Sequence, residues 1–445
     1  MLIIPANSAL ASGGEVANSL RFNNPSSDYL NKSFGNGNRK TFTISAWVKR
    51  SNIAGIDPIF SRYTADSDSG FLGLYINSNA KLNFTGWNTV YITTNRLFRD
   101  VSAWYHIVLA VDTTQSTNTN RWKLYINGVQ ETSFATAAYP NQNTDLAINQ
   151  NVAHMVGRYS GNYLAGYMSE VVFIDGLALA PDQFGEFDED SNIWKPIKVS
   201  GLTFGNNGFY LDFEDSSALG NDAAGSNNFT ANNLTAIDQS TDTCTNNFAT
   251  INPLIVMNTD TVYSEGNLVM TPGGNTGNWQ IGFSSIAVSA GKWYVETKMI
   301  GGNYVNGISE TTSNQLSASG PEHFIGGFTK EIGYYSQSGN KFVENSQTSY
   351  GASYTNGDII GMALDLDSGT RTITFFKNGA SQGAITLPSS METMTFGMSV
   401  NQGSSSAQFN FGSPPYAISS GNADGNGYGN FEYAVPSGYF SLNTK

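Results

Sequence analysis

Two stretches of this sequence are apolar on both faces of an extended chain, and each soon leads into a strand that ends on Asn-Gly. The first is Trp104–Asp112, followed by Arg121–Tyr125 and then Ile126-Asn127-Gly128-Val129. The second is Asp358–Asp367, followed by Thr372–Phe376 and Asn378-Gly379. A strand that is apolar on both sides belongs in the middle of packed layers. Asn-Gly supplies the positive φ angles of a tight hairpin, so the segments on either side pair antiparallel. Helices offer no competing solution. Only 13% of residues are charged, polarity comes from Asn, Ser, Thr and 47 glycines, and Ala/Glu/Lys/Arg-rich amphipathic stretches are missing. The expected fold is all-β, with two jelly-roll-type β-sandwiches in series.

At 445 residues the chain exceeds what one core ordinarily serves. Residues 18–190 read as the first sandwich. In it Thr41–Lys49 places Phe42, Ile44, Ala46 and Val48 on one face, and Tyr167–Ile174 is a further strand ended by Asp175-Gly176. Residues 191–255 read as an Asn/Ser/Thr-rich, largely irregular connector with one strand-like patch, Gly208–Phe213. Its scattered apolar residues, among them Phe229, Leu234 and Phe248, need a surface to cover them. Residues 256–445 read as the second sandwich, with strands at Lys292–Met299, around Phe396, Met398 and Val400, and at Phe409 and Phe411. Its Gly- and Tyr-rich tail is expected to be tied down by Phe431, Tyr433, Val435 and Tyr439. Residues 1–17 form a separate N-terminal segment.

Net charge is −13, from 22 basic and 35 acidic residues, with no basic stripe. A phosphate-backbone partner demands such a stripe, so nucleic acid is an unfavourable partner, and anionic membrane surfaces are disfavoured on the same ground. No run of about 18 apolar residues is present, so no helical membrane insertion is expected. The single cysteine, Cys244, rules out an intramolecular disulfide framework. The N-terminus lacks a basic n-region, and Pro5 and Asn7 interrupt its apolar run, so no cleaved signal peptide is expected.

Four blocks of the first region resemble the laminin-G-like, concanavalin A-like lectin family. They are Phe42–Val48, Trp104–Asp112, Leu124–Gly128 and Leu164–Phe173. In the last region, Asn356–Asp367 with Thr372–Gly379, preceded by Gly291–Glu296 and followed by Gln408–Gly412, resembles a SPRY domain. The opening Ile3-Ile4-Pro5-Ala6-Asn7, the strand Ser19–Asn23, the stretch Asn246–Pro253 and the ending Pro436–Tyr439 resemble proteins of marine tailed phages. That resemblance implies a virion-surface protein made in the host cytoplasm, with residues 1–17 as a candidate virion anchor and other virion proteins as partners. A homo-oligomer is also open, because sandwiches can associate through exposed strands. Neither domain type fixes a ligand, since each serves many functions.

The lectin-like fold is shared with laminarinase-type glycoside hydrolases, which set two carboxylates across the scissile bond. Here the nearest string, Gly185-Glu186-Phe187-Asp188-Glu189-Asp190, lacks the second Glu at the needed spacing and follows the last core strand. His106 sits among aromatics and reads as packed. No nucleophile elbow, His-Glu-x-x-His motif or phosphate loop is present. Calcium is the one cofactor the resemblance brings in, with Asp66 and Asp68 as candidate ligands, although a solvated acidic turn is the favoured account of them. Sugar binding without catalysis needs an aromatic platform for the apolar sugar face and amides at its rim. Trp87, Asn88 and Tyr91 form one such cluster, and Tyr159, Asn162 and Tyr163 a second. In the SPRY-like region the loops carrying Tyr304, Tyr334 and Tyr335 are the candidates.

The expected function is therefore non-enzymatic attachment by a fibre, spike or capsid-decorating subunit that binds host-surface polysaccharide. A purely structural cement protein and a polysaccharide-degrading hydrolase are the competing expectations.

Overall fold

The computed structural model describes residues 2–4, 14–255, 261–273, 278–313, 323–401 and 405–445. The chain divides into two units, Ala11–Thr245 and Asn246–Lys445, the latter joined by Met1–Leu10. Among the described residues the structure consists of strands and short 3-10 turns, and no helix is long and apolar enough to cross a membrane.

The first unit is a sandwich of two sheets. One sheet runs through Val129–Gln130, Trp122–Ile126, Trp104–Asp112, Thr41–Arg50, Gly166–Asp175, Ser19–Phe22 and Gln239–Ser240, with Phe209–Leu211 also paired to Gly166–Asp175. The facing sheet runs through Phe134–Ala137, Val90–Leu97, Lys81–Gly86, Phe71–Ile76, Asp57–Tyr63, Ala153–Val156, Tyr29–Ser33 and Thr230–Asn232. Alternation puts Phe42, Ile44, Ala46 and Val48 into the core, where they meet Leu72, Leu74, Ile76 and Phe84 from the opposite sheet. A β-bulge between Ser169 and Val172 inserts Glu170 at φ 51°. The extra residue resets the alternation, so Met168 before it and Val171 and Phe173 after it all face inward. Asn127 (φ 48°) and Gly128 (φ 77°) make the tight turn their sequence demands, as do Asn378 (φ 48°) and Gly379 (φ 79°) in the second unit.

The stretch expected to be an irregular connector is, up to Thr245, part of the first sandwich. It contributes Phe209–Leu211, Thr230–Asn232 and Gln239–Ser240 to the two sheets, and its hairpin Gly185–Phe187/Trp194–Pro196 stands beside them. These strands are too short for alternation to declare them. The stretch serves as cover, because Trp104–Asp112 is apolar on both sides and Thr41–Arg50 turns Trp47 to the outer face. Phe184 and Val199 pack on Val108, Val172 and Ile174, while Trp194 and Cys244 pack on Trp47, Trp104 and Tyr167.

Polar contacts fasten this cover. The Trp194 indole donates to His106 Nδ1 (2.9 Å), which leaves His106 Nε2 to donate to Ser45 Oγ (2.9 Å). The ring is stacked on Trp47 at 4.7 Å, and burial lowers its pKa to about 3, so it is neutral and structural. Lys49 and Asp242 form an ion pair of 2.7 Å with both side chains 1% exposed, and the Trp104 indole donates to the same carboxylate (3.3 Å). Removing one partner from such a pair costs about 3–5 kcal/mol, because the other charge stays buried.

The second unit repeats the plan. One sheet runs through Ile286–Val288, Met394–Asn401, Asn303–Glu310, Glu331–Tyr335, Lys341–Val343 and Ser346–Thr348, with Trp279–Phe283 also paired to Met394–Asn401. The other runs through Val262–Ser264, Val269–Thr271, Ser406–Asn410, Lys292–Ile300, Ile359–Asp365, Thr372–Lys377 and Ala380–Thr386. Residues 1–17 are not one separate segment. Leu2–Ile4 adds a parallel strand beside Ile286–Val288, satisfying that edge, whereas Val16 bonds Thr245 in the first unit. Met1 and residues 5–13 lie outside the described residues. The C-terminal tail covers the outer face of the second sheet, with Phe431 packed on Tyr294 and Ala363. Its anchor is the buried Glu296 carboxylate, which accepts the backbone N–H groups of Glu432 and Tyr433 (2.9 Å each).

Two outcomes test this account of the cover. Residues 14–245 should unfold cooperatively on heating, whereas a fragment stopped at Gly176 should bind hydrophobic dyes and melt without a transition. The second concerns Glu170, whose pKa burial raises from 4.5 to about 7 although Tyr210 donates to it (2.6 Å). This carboxyl stays protonated in the folded chain after it has ionised in the unfolded one. Its contribution is therefore complete below pH 4.5, is lost as pH rises toward about 7, and is level above that. Glu170→Gln keeps an acceptor for Tyr210, so denaturant titrations of wild type and variant should diverge across this window by on the order of 3 kcal/mol in the variant's favour.

Candidate functional site

The outer face of the facing sheet in the first unit carries a group of aromatics. Along Phe71–Ile76, Leu72, Leu74 and Ile76 enter the core, so Phe71 and Tyr75 point outward. Tyr159, from the hairpin Arg158–Tyr159/Asn162–Tyr163, lies on them, stacked on Phe71 at 4.7 Å and 5.2 Å from Tyr75. Tyr63 closes the group at 6.1 Å from Phe71 and 6.4 Å from Tyr159. Phe71 is buried, while Tyr63, Tyr75 and Tyr159 are half-buried.

The loop Thr64–Gly70 connects this aromatic group to a second one. It is a tight loop, in which Thr64 N–H donates to the Gly70 carbonyl (2.8 Å), and Arg62 donates to the Ser69 carbonyl. Gly70 is required there, since a Cβ would meet the Ala65 carbonyl oxygen at 2.3 Å. The Tyr63 hydroxyl donates to Asp66 (2.6 Å). Asp68 takes the Asn88 backbone N–H (2.7 Å) and side-chain amide (3.2 Å), which pins the neighbouring hairpin tip and holds out Trp87, 44% exposed. Burial, and then the Asp68 charge, raise the Tyr91 pKa; burial, then Tyr75, Tyr63 and Asp66, raise that of Tyr159. Two clusters that the sequence shows as separate, Trp87–Asn88–Tyr91 and Tyr159, thus share one acidic loop. The Thr85 hydroxyl, outward-facing on the adjacent strand, is buried without a hydrogen-bond partner among the described residues.

Other sequence candidates fall elsewhere. Asn162 stands beside Tyr159 and reaches its carbonyl (3.5 Å), but Tyr163 is on the opposite face of the hairpin, where Arg158 sits over Tyr163 and Tyr29. Tyr304 and Tyr334 are not loop residues open to a ligand. Both are 0% exposed, placed in the second core by strand alternation with Ile308 and Ile332. Their hydroxyls are spent internally, that of Tyr304 on the carbonyls of Ile300 (2.7 Å) and Ser406 (3.0 Å) and that of Tyr334 on the Ala352 carbonyl. The Gly-rich sequence before Tyr304 conceals this placement. Tyr335, on the outer face, is half-buried beside Trp279 and donates to Gln337.

Asp66 and Asp68 do not fit a calcium cage. Donors of the protein point at both carboxylates, and among the described residues no group of three or more His, Cys, Asp or Glu could hold a metal. In the string that resembles a hydrolase motif, Glu186 and Asp188 both pair with Lys195 (3.4 and 3.0 Å) in an isolated hairpin. Sequence reading missed Tyr63, Phe71 and Tyr75, although the alternation against Leu72, Leu74 and Ile76 was there to find two of them.

Comparison with known proteins agrees with this geometry. The family described as the concanavalin A-like lectin/glucanases superfamily matches residues 24–183, and the SPRY domain matches residues 268–414. The chain carries a concanavalin A-like domain followed by a SPRY domain. Similar solved structures include a human SPRY domain (15% identical, covering 36% of this chain and 98% of that one, TM-score 0.28). The SPRY domain of human HERC1 is 19% identical over 36% of this chain and 96% of that one, with a TM-score of 0.30. A candidate carbohydrate-binding protein from Bacteroides ovatus is 18% identical over 49% of this chain and 58% of that one, with a TM-score of 0.35. Such likenesses carry no functional argument. No curated protein sequence matches the chain.

If Asp68 pins the hairpin tip, Asp68→Ala should speed amide exchange at Asn88 at least tenfold. The melting temperature should barely move, because the contact is exposed.

Proposed function

We propose that the protein is a non-enzymatic attachment protein that binds a host-surface polysaccharide on the outer face of its concanavalin A-like domain. The observation that carries this reading is the convergence of exposed Trp87 and Asn88 and half-buried Tyr91, Tyr159 and Tyr75 around the single loop holding Asp66 and Asp68. Aromatic faces take the apolar C–H side of a sugar ring, while carboxylate and amide groups at the rim take its hydroxyls. The platform stands on a rigid sheet, so little ordering cost falls on binding. The setting proposed is the surface of a bacteriophage particle. The terminal and connecting stretches that resemble tailed-phage proteins support it, and other virion subunits would hold the protein in place.

The test is binding of the purified protein to capsular polysaccharide and lipopolysaccharide from candidate hosts, with released reducing ends followed in parallel. The reading expects saturable binding, weakened about tenfold or more by Trp87→Ala, unchanged by EDTA, and without new ends. That loss corresponds to about 1.4 kcal/mol, within the range of one aromatic contact. New reducing ends that vanish when one Glu or Asp is replaced would make the protein a hydrolase. Particles that lose integrity without the protein yet still adsorb to cells would make it a cement subunit.

A further inference from the structure

A second concave site lies in the part of the first domain beyond the matched residues 24–183. It is a cleft of about 460 Å3 built entirely from residues 216–236. Its volume falls within the range typical of small-molecule sites, roughly 300–1,000 Å3. The cleft stays open because its walls carry Ala218, Gly220, Ala231 and Ala236, side chains too small to fill it. Leu219 and Phe229 form its floor with Leu234, all joined to the main core, and Phe229 is fixed edge-on against Phe209 at 4.6 Å.

The rim is polar, and Lys32 Nζ reaches the Asn228 carbonyl at its edge (3.5 Å). The Ser216 hydroxyl, the Asn221 amide and Asn228 Nδ2 have no hydrogen-bond partner among the described residues, whereas Asn228 Oδ1 is held by the Asp222 N–H (2.9 Å). Nearby charges are already engaged. Asp222 accepts the backbone N–H groups of Tyr210, Ala224 and Asn227 (2.9–3.0 Å), and Asp238 accepts from Thr235 (2.7 Å) and pairs with Arg21 (3.5 Å). Apolar floor and a rim of hydroxyl and amide groups together suit a ring that bears both C–H faces and hydroxyls.

We propose that this cleft binds a single pyranose residue, as a second saccharide site on the domain. It rests on the glycan-binding reading for its ligand class but not for its location. The strand Thr230–Asn232, which carries Ala231, stands four strands from Phe71–Ile76 in the same sheet, roughly 20 Å at about 4.8 Å per strand.

Saturation-transfer NMR on the whole protein tests it, with methyl glucoside, methyl mannoside, methyl galactoside and N-acetylglucosamine as probes. At least one probe should saturate in the millimolar range. Ala236→Trp, at an exposed wall position, should fill the cleft and abolish binding. Asn228→Asp keeps the acceptor for Asp222 but removes the free donor, and should weaken binding about tenfold or more. These variants are read in the Trp87→Ala background, which removes the aromatic platform. Absence of saturable binding by all four probes overturns the proposal, and so does binding in that background that survives Ala236→Trp. Binding lost in Trp87→Ala but kept in Ala236→Trp would overturn this site while supporting the aromatic one.

Discussion

The structure depends on covering sheet faces that are apolar on both sides. Strands such as Trp104–Asp112 and Ile359–Asp365 cannot leave their second face in water, because that face carries Val108 and Ala110 in one case and Ala363 in the other. Each domain solves this with chain that follows its core strands in sequence. Residues 177–245 close the first domain, and the C-terminal tail closes the second. Hydrophobic contact supplies most of the adhesion, and buried polar contacts fix the register. His106 accepts from Trp194, Lys49 meets Asp242, and Glu296 gathers two backbone N–H groups of the tail. Burial raises the pKa of Glu296, like that of Glu170, to about 7, so the fastening in each domain includes a carboxyl that titrates near neutrality.

This division of faces also decides where recognition can occur in the first domain. On the other sheet the outward Phe71 is buried, and half-buried Tyr63, Tyr75 and Tyr159 are the aromatics that reach solvent. The loop Thr64–Gly70 then acts as a joint. Asp66 fixes Tyr63, Asp68 fixes the hairpin tip, and Trp87 is held out, 44% exposed. Local hydrogen bonding thus turns scattered polar-loop residues into a preorganised surface.

Much of the fold was legible in the sequence because its signals are local. Asn127-Gly128 and Asn378-Gly379 declare their hairpins, and the alternation of Phe42, Ile44, Ala46 and Val48 declares a buried face. The role of residues 191–245 was not legible, since their strands are two or three residues long and their composition is that of loops. Their contribution rests on single side chains such as Trp194 and Phe229, whose partners are far away in sequence. The site was legible in pieces. Trp87, Asn88 and Tyr159 stand out as aromatics and amides in polar surroundings, but their meeting at Asp66 and Asp68 is a tertiary fact. Tyr304 and Tyr334 show the opposite failure, in which glycine-rich neighbours disguise core positions.

The central claim is that glycan is held on the outer face of the first domain by side chains gathered at one loop. Amide hydrogen exchange of the protein with and without a bound host polysaccharide tests it most directly. The account predicts slowed exchange concentrated in residues 64–70, 86–91 and 158–163, with the strands of the second domain unchanged. Protection confined to the second domain, or to the covered sheet of the first, would contradict it.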